Sequence, residues 1–320
     1  MDIIENIDNN TQARSVDNRT LLWDKLGKVF ADSPRTAADA IVEAGLDWDV
    51  ELRKAGVKSA DGKSFRVVPG AFATVRTDTD EVLGMVKSRY RPFSNKDVFS
   101  FADSLVDGAG AAFESAWSDY AGKVIGLTMR LPDHINVGGV DPHGQYLIMK
   151  TAHDGSSSIK VATASVRMFC LNQFNGVLRN AQNSWSVHHS SRMEGKLQAA
   201  REALQISFAY QAEFEMEMEQ LLATPISMER SIERVTTVLT KLNLGERVVE
   251  RDSAGILHLA EFSPTIHADL KHTAYGLLQA ATEYYQHYRP YRSDAARFHV
   301  NTENGLGTKV TAGLQLALAG

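Results

Sequence analysis

The sequence predicts an α+β fold: an antiparallel meander sheet with flanking helices, followed by a mainly helical C-terminal half. Three observations carry that expectation. Ile125, Leu127, Met129 and Leu131 alternate with Val124, Gly126, Thr128 and Arg130, the period of an antiparallel strand with one apolar and one small or polar face. The polar segment His153-Asp154-Gly155-Ser156-Ser157-Ser158 divides two strand-like runs, Tyr146 to Thr151 and Ile159 to Met168. Such a segment serves as a tight turn, a binding loop, or both. From about Arg192 the texture becomes helical, with Leu197, Leu204, Phe208, Phe214, Met218 and Leu221 in one long run.

The elements follow in order. Residues 1–20 are rich in Asn, Asp, Thr and Gln and read as a flexible arm with little to bury. Ser33-Pro34 is a helix start, Ser as N-cap and Pro in the first turn, leading to Ala37, Ala40, Ile41 and Ala44 with Gly45 as the stop. Phe65 to Val68 and Ala71 to Thr77 are strand-like, and the turn cluster Thr77-Asp78-Thr79-Asp80 leads to Val82 to Val86 in a hairpin pattern. Ser94 to Val106 returns to helical spacing. Ala112 to Trp117 and Gly122 to Leu131 flank the turn at Ser118 to Ala121. With the two strands around His153 they make a curved meander with one open face, and Cys170 to Asn180 reads as a helix leaving it. Met193 to Leu222 is a helix despite the period-two stretch Glu213 to Glu219, because Glu and Met are good helix formers. Its apolar residues serve either the core of the helical half or an oligomer contact. Further helices are expected at Ser227 to Leu242, Asp269 to His287 and Gly307 to Leu318, with a short hairpin near Val248 to Leu259. The chain thus divides into the arm 1–20, an α+β domain 21–190 and a helical region 191–320 packed on it.

Composition narrows the function. The chain has 320 residues, 43% hydrophobic, with net charge -5, so it is globular and not strongly basic overall. A local positive groove is still allowed, because binding follows the local field. The single cysteine, Cys170, excludes an intrachain disulfide and a four-thiolate zinc site, and fits a reducing cytoplasm. The N-terminus lacks the apolar segment of a signal peptide, and no run is long enough to span a membrane. No Walker A, GxGxxG, HExxH or CxxC motif is present. No cofactor and no metal is expected.

Several patches together resemble the phage- and plasmid-encoded family catalogued as domain of unknown function 932. They are Leu22-Trp23-Asp24-Lys25-Leu26-Gly27, Ala44-Gly45-Leu46-Asp47-Trp48, Arg76-Thr77-Asp78 with Val82 to Val86 and Arg89-Tyr90, and the hallmark His153-Asp154-Gly155-Ser156-Ser157. Arg167, Cys170 and Asn172, Ala281-Thr282-Glu283-Tyr284, and Gly305 to Lys309 complete the set. The family often has His where Asp24 stands, and "VDH" where this chain has Tyr285-Gln286-His287. The resemblance covers roughly residues 20–318 and implies a cytosolic protein of phage, plasmid or prophage origin. It implies no reaction.

Three groups of residues are candidates for function. His153, Asp154, Gly155, Ser156 and Ser157 offer N–H and hydroxyl donors to an anion such as a phosphate, or else form a plain strand connection. Lys87, Arg89, Tyr90, Arg91, Arg130, Lys150, Lys160 and Arg167 would make a positive groove if the open sheet face gathers them, with Tyr90, Tyr120 or Tyr146 to stack bases. Otherwise they are ordinary solvated surface. A Cys170–His153 nucleophile pair is disfavoured because Cys170, between Phe169 and Leu171, reads as a small core residue, and a metal site from His153, Asp154, His188 and His189 fits no established spacing. The expected function is non-enzymatic: a DNA-metabolism protein that binds single-stranded DNA, as in annealing or recombination, acting as a homo-oligomer. The β-β-β-α core of single-strand annealing proteins is a fold-level analogy for it. An enzyme acting on a nucleotide or phosphate-containing small molecule through the His153-Asp154 loop is the alternative. An assembly or host-interaction protein is a third.

Overall fold

A computed structural model describes residues 27–156, 159–167, 184–187, 193–301 and 305–319. The expected arm, Cys170 and the helix after it, and His188-His189 lie outside the described residues.

Two antiparallel sheets form the first half. The larger has the strand order β1-β5-β6-β7-β8-β9, and the smaller β2-β3-β4. The strands are β1 (Gly27–Val29), β2 (Val50–Lys58), β3 (Phe65–Arg76), β4 (Val82–Lys87), β5 (Ala112–Asp119), β6 (Val124–Val137), β7 (Asp141–Ala152), β8 (Ile159–Arg167) and β9 (Ser184–Val187). Three short helices cover one side: α1 (Ala37–Glu43), α2 (Asn95–Val98) and α3 (Asp103–Ala109). The second half is helical, with α4 (Met193–Leu222), α5 (Met228–Lys241), α6 (Glu246–Phe262), α7 (Ala274–Glu283), α8 (Asp294–Asn301) and α9 (Leu306–Ala319). The α+β class is therefore as the sequence predicts. No helix among the described residues is long and apolar enough to cross a membrane.

The meander has no open face in its centre. Register places Leu127, Met149 and Val161 side by side on one face, and Thr128, Ile148 and Ala162 on the other. The first set packs with Ile41, Val98, Phe99 and Leu105 from the N-terminal helices. On the second face, Trp117, Ile148, Ala162 and Ala164 join the core of the helical half, with Phe214, Met218, Tyr275 and Tyr284. The small residues that made this face look solvated instead permit close approach of helices. Thr128 is buried with them.

Several boundaries differ from expectation for local reasons. Helix α1 starts three residues later than Ser33-Pro34 predicts. Thr36 is its N-cap, accepting from Asp39 N–H at 3.1 Å, while Ser33 Oγ accepts from Phe113 N–H at 2.9 Å and ties the chain to β5. Strand β2 has no counterpart in the sequence reading, and the two strand pieces around Pro69-Gly70 are one strand, β3, carrying a register shift. The expected hairpin near Val248 is helix α6. Its buried residues Asp252, Gly255, Ile256 and Leu259 recur at helical spacing, which outweighs the β-branched pair Val248-Val249. In α4 the period-two stretch is helical: Phe214, Met218 and Leu221 are buried, whereas Met216 is 69% exposed.

Candidate functional site

The His153 turn joins β7 to β8 and lies against the small sheet. The His153 ring is fully buried, stacked on Phe93 at 4.5 Å and tilted against Trp48 at 5.3 Å. Asn95 donates through Nδ2 to the carbonyls of Leu46 and Trp48, so its Oδ1 is the acceptor for His153 Nε2–H at 2.7 Å. A dissolved phosphate does not reach this ring. Asp154 bonds Lys123 Nζ at 2.9 Å and caps the turn by accepting from Ser156 N–H. Burial acts to raise the Asp154 carboxyl, but the Ser156 and Lys123 interactions outweigh it and hold the group below its ordinary value. Gly155 rests on Val86 and Tyr90. Burial, reinforced by Asp154, pushes the Tyr90 hydroxyl up to about 12. Ser156 is exposed, and Ser157 lies outside the described residues.

Three of the patches that resemble the family, those of Trp48, of Arg76 to Tyr90 and of His153, thus converge. Arg76 grips Asp78 with two hydrogen bonds of 3.0 and 2.6 Å, lies 4.2 Å over the Trp48 ring and donates to the Ala121 carbonyl. Gly84 touches the Asp154 backbone so closely that an added Cβ would stand 2.3 Å from Asp154 Cβ and 2.7 Å from its Cα. The assembly is a latch that seats the small sheet on the β7–β8 turn. Gly84→Ala must push the two apart, and a loss of about 1–3 kcal/mol is expected from overpacking. A thermal melt checks it.

The eight basic and aromatic candidates do not form one groove. Lys150 and Lys160 are directly paired across β7 and β8, beside Gly126. Burial, with Lys160 adding, lowers the Lys150 amine to about 8, and Asp119 opposes the shift. Arg130 is on the same strand face but ion-pairs with Glu114 at 3.5 Å. Arg167 ends β8, seven residues beyond Lys160 and so roughly 23 Å away along the strand; its side chain lies outside the described residues. Tyr146 packs against the helical core, and the ring of Tyr120 stacks on His299 at 5.0 Å. Lys87, Arg89 and Arg91 are exposed and lie at the end of β4, in the small sheet.

The open face belongs to the small sheet. Register groups Arg53, Ala73 and Met85 in one row and puts Lys87 opposite Ala71. Met85 is 60% exposed. Beyond this face β2 and β3 continue as a two-stranded ribbon, whose residues 60–70 are all exposed. Along Lys54 to Gly70 and Lys87 to Arg91 the chain carries seven cations, Lys54, Lys58, Lys63, Arg66, Lys87, Arg89 and Arg91, against one carboxylate, Asp61. Among the described residues none of the seven forms an ion pair, whereas neighbouring Arg53 is held by Glu51 and Asp80. Asp61 is turned into the ribbon loop, accepting from Ser59 Oγ and from Lys63 N–H. In a chain of net charge -5, this is a local positive field.

Two buried polar clusters had no sequence signal. The Tyr275 hydroxyl donates to Asp141 at 2.5 Å and therefore accepts from His143 Nε2–H at 2.8 Å. This ties β7 to α7. Asp252, fully buried, accepts from Tyr284 at 2.9 Å, Tyr285 at 2.8 Å and Arg251 Nε at 2.8 Å, with Arg289 Nε at 3.3 Å. Tyr284 and Tyr285 open a π-turn, Tyr284–Tyr288. Burial first, and then Asp252, raises both phenols well above their ordinary value. Among the described residues no group of three or more His, Cys, Asp or Glu is placed to hold a metal ion.

A family model described as Domain of unknown function (DUF932) matches residues 82–304. The match contains the latch turn and the π-turn, and begins at β4, after the ribbon. No curated protein and no solved structure matches the chain.

Proposed function

The chain belongs to the family of domain of unknown function 932, and we propose that within it this protein binds single-stranded DNA, non-enzymatically, in DNA metabolism of the phage or plasmid kind. The observation that supports this is the concentration of seven cations on the small sheet's edge and ribbon, none of them in an ion pair among the described residues. Lys87, Arg89 and Arg91 belong to it. They follow one another at the end of β4, where Tyr90 N–H closes a turn on the Lys87 carbonyl and Arg91 donates to the carbonyls of Ser88 and Tyr90. Long cationic side chains so spaced suit a flexible phosphate backbone, for which charge neutralisation dominates affinity. The enclosed His153 ring gives the alternative, phosphate-ester chemistry at the turn, no comparable support.

The test is a fluorescence titration of labelled oligothymidine at several salt concentrations. Tight binding at low salt with a steep salt dependence is expected. Lys87→Glu, Arg89→Glu and Arg91→Glu together are expected to weaken it at least tenfold and to flatten the log–log salt slope by about 2, at about 0.7 for each phosphate no longer neutralised. Absence of binding by the parent protein at low salt defeats the reading.

A further inference from the structure

The ribbon carries an apolar surface as well as charge. Phe65 is 57% exposed and Val67 44%. An isolated two-stranded ribbon is marginal in water, and exposed apolar side chains on it call for a partner. Register places Phe65 directly opposite Lys58, and Val67 opposite Gly56, so Phe65, Val67 and Lys58 share a face. The Phe65 ring lies across Gly56: a Cβ added there would stand 2.5 Å from Phe65 Cζ. Only glycine leaves room for the ring at this point of the opposing strand. The tip of the ring thus rests against Gly56, while more than half of the residue faces solvent.

We propose that Phe65 is a base-stacking platform, on which an unpaired base of the bound strand lies. This rests on the reading that the ribbon and the β4 edge bind single-stranded DNA. The occupant follows from charge complementarity. Lys58 stands across from the ring on the same face, so a cation sits beside the ring on the ribbon, as a phosphate sits beside each base along a single strand. A second copy of this chain would bring the same cations against each other. Stacking tolerates any base, because every base has a π-face, and it selects single strands, because duplex bases are already stacked. The loop beside the ring is held in place: Ser59 N–H donates to the Ser64 carbonyl at 2.9 Å, and Gly62 N–H to the Ser59 carbonyl at 2.8 Å.

The experiment compares parent protein, Phe65→Ala and Phe65→Trp against labelled oligothymidine and an abasic strand of equal length, with light scattering in parallel. The parent is expected to bind oligothymidine about tenfold or more tightly than the abasic strand. Phe65→Ala is expected to remove that difference with the salt slope unchanged, and Phe65→Trp to keep it. Equal parent affinity for both strands, or a Phe65→Ala variant that keeps the preference, overturns the platform while leaving the phosphate-binding reading intact. Binding to neither strand overturns both. A Phe65→Ala variant that loses mass by light scattering and weakens equally on both strands assigns the ribbon to self-assembly and overturns the platform.

Discussion

Asp252→Ala is expected to destabilise the protein by about 3–5 kcal/mol, the usual cost of breaking a buried ion pair by removing one partner. The carboxylate is fully buried and is the common acceptor for Tyr284, Tyr285, Arg251 and Arg289. Without it, two phenolic hydroxyls lose their acceptor inside the core, and each unsatisfied group costs about 1–3 kcal/mol. The two guanidinium groups are only 26% and 16% exposed, so water replaces the missing partner poorly. The π-turn is part of the same device. Consecutive residues of an α-helix point about 100° apart, yet Tyr284 and Tyr285 bond the two oxygens of one carboxylate, and the wider turn lets them converge. Chemical denaturation followed by circular dichroism measures the change. A loss below about 1 kcal/mol would show that the cluster is not a keystone of the helical half. Asp252→Asn, which keeps the shape and removes the charge, is expected to fall between the parent and the alanine variant.

His153→Ala is expected to cost about 2–4 kcal/mol in stability, from the cavity and the orphaned Asn95 Oδ1 together, and to leave DNA affinity per folded molecule unchanged. The ring fills the space between Phe93 and Trp48. Asn95, itself buried, uses its amide nitrogen on two backbone carbonyls and its oxygen on His153. Removing the ring loosens the seat of the small sheet, which carries the proposed binding face. Binding measured well below the melting temperature separates the two roles. A folded variant that no longer binds DNA would make the turn an anion site after all.

The His153 segment shows how far residue type alone reaches. Asp-Gly between two apolar runs marks a turn, and the turn is there. The same residues also read as an exposed anion loop, because histidine and serine are polar wherever they stand. Burial resolves the ambiguity, and burial depends on Trp48, Phe93 and Asn95, which lie about sixty to a hundred residues away in sequence. The alternation in β6 is similar. Its small, polar face predicts solvent when the strand is taken alone, and becomes a packing surface once helices from the second half lie on it. The basic candidates failed to gather because their grouping assumed one open face on one sheet. Strand β2 carries no clear strand signal, since Val50 to Lys58 mixes charged residues with a glycine, and the ribbon pairing it forms with β3 carries none either.

Hydrophobic period, turn chemistry and recurring patches were enough for the α+β class, the order of most strands and helices, the long helix through Glu213 to Glu219, and the family. All of these are local or linear properties of the chain. Packing between distant segments settled the rest: both faces of the meander are covered, His153 is a core residue, Asp252 gathers two tyrosines and two arginines, and the open basic surface lies on the small sheet. Each of these depends on which distant residues share a boundary with water. Apolar burial is non-directional, and a face is polar or apolar only relative to what packs on it.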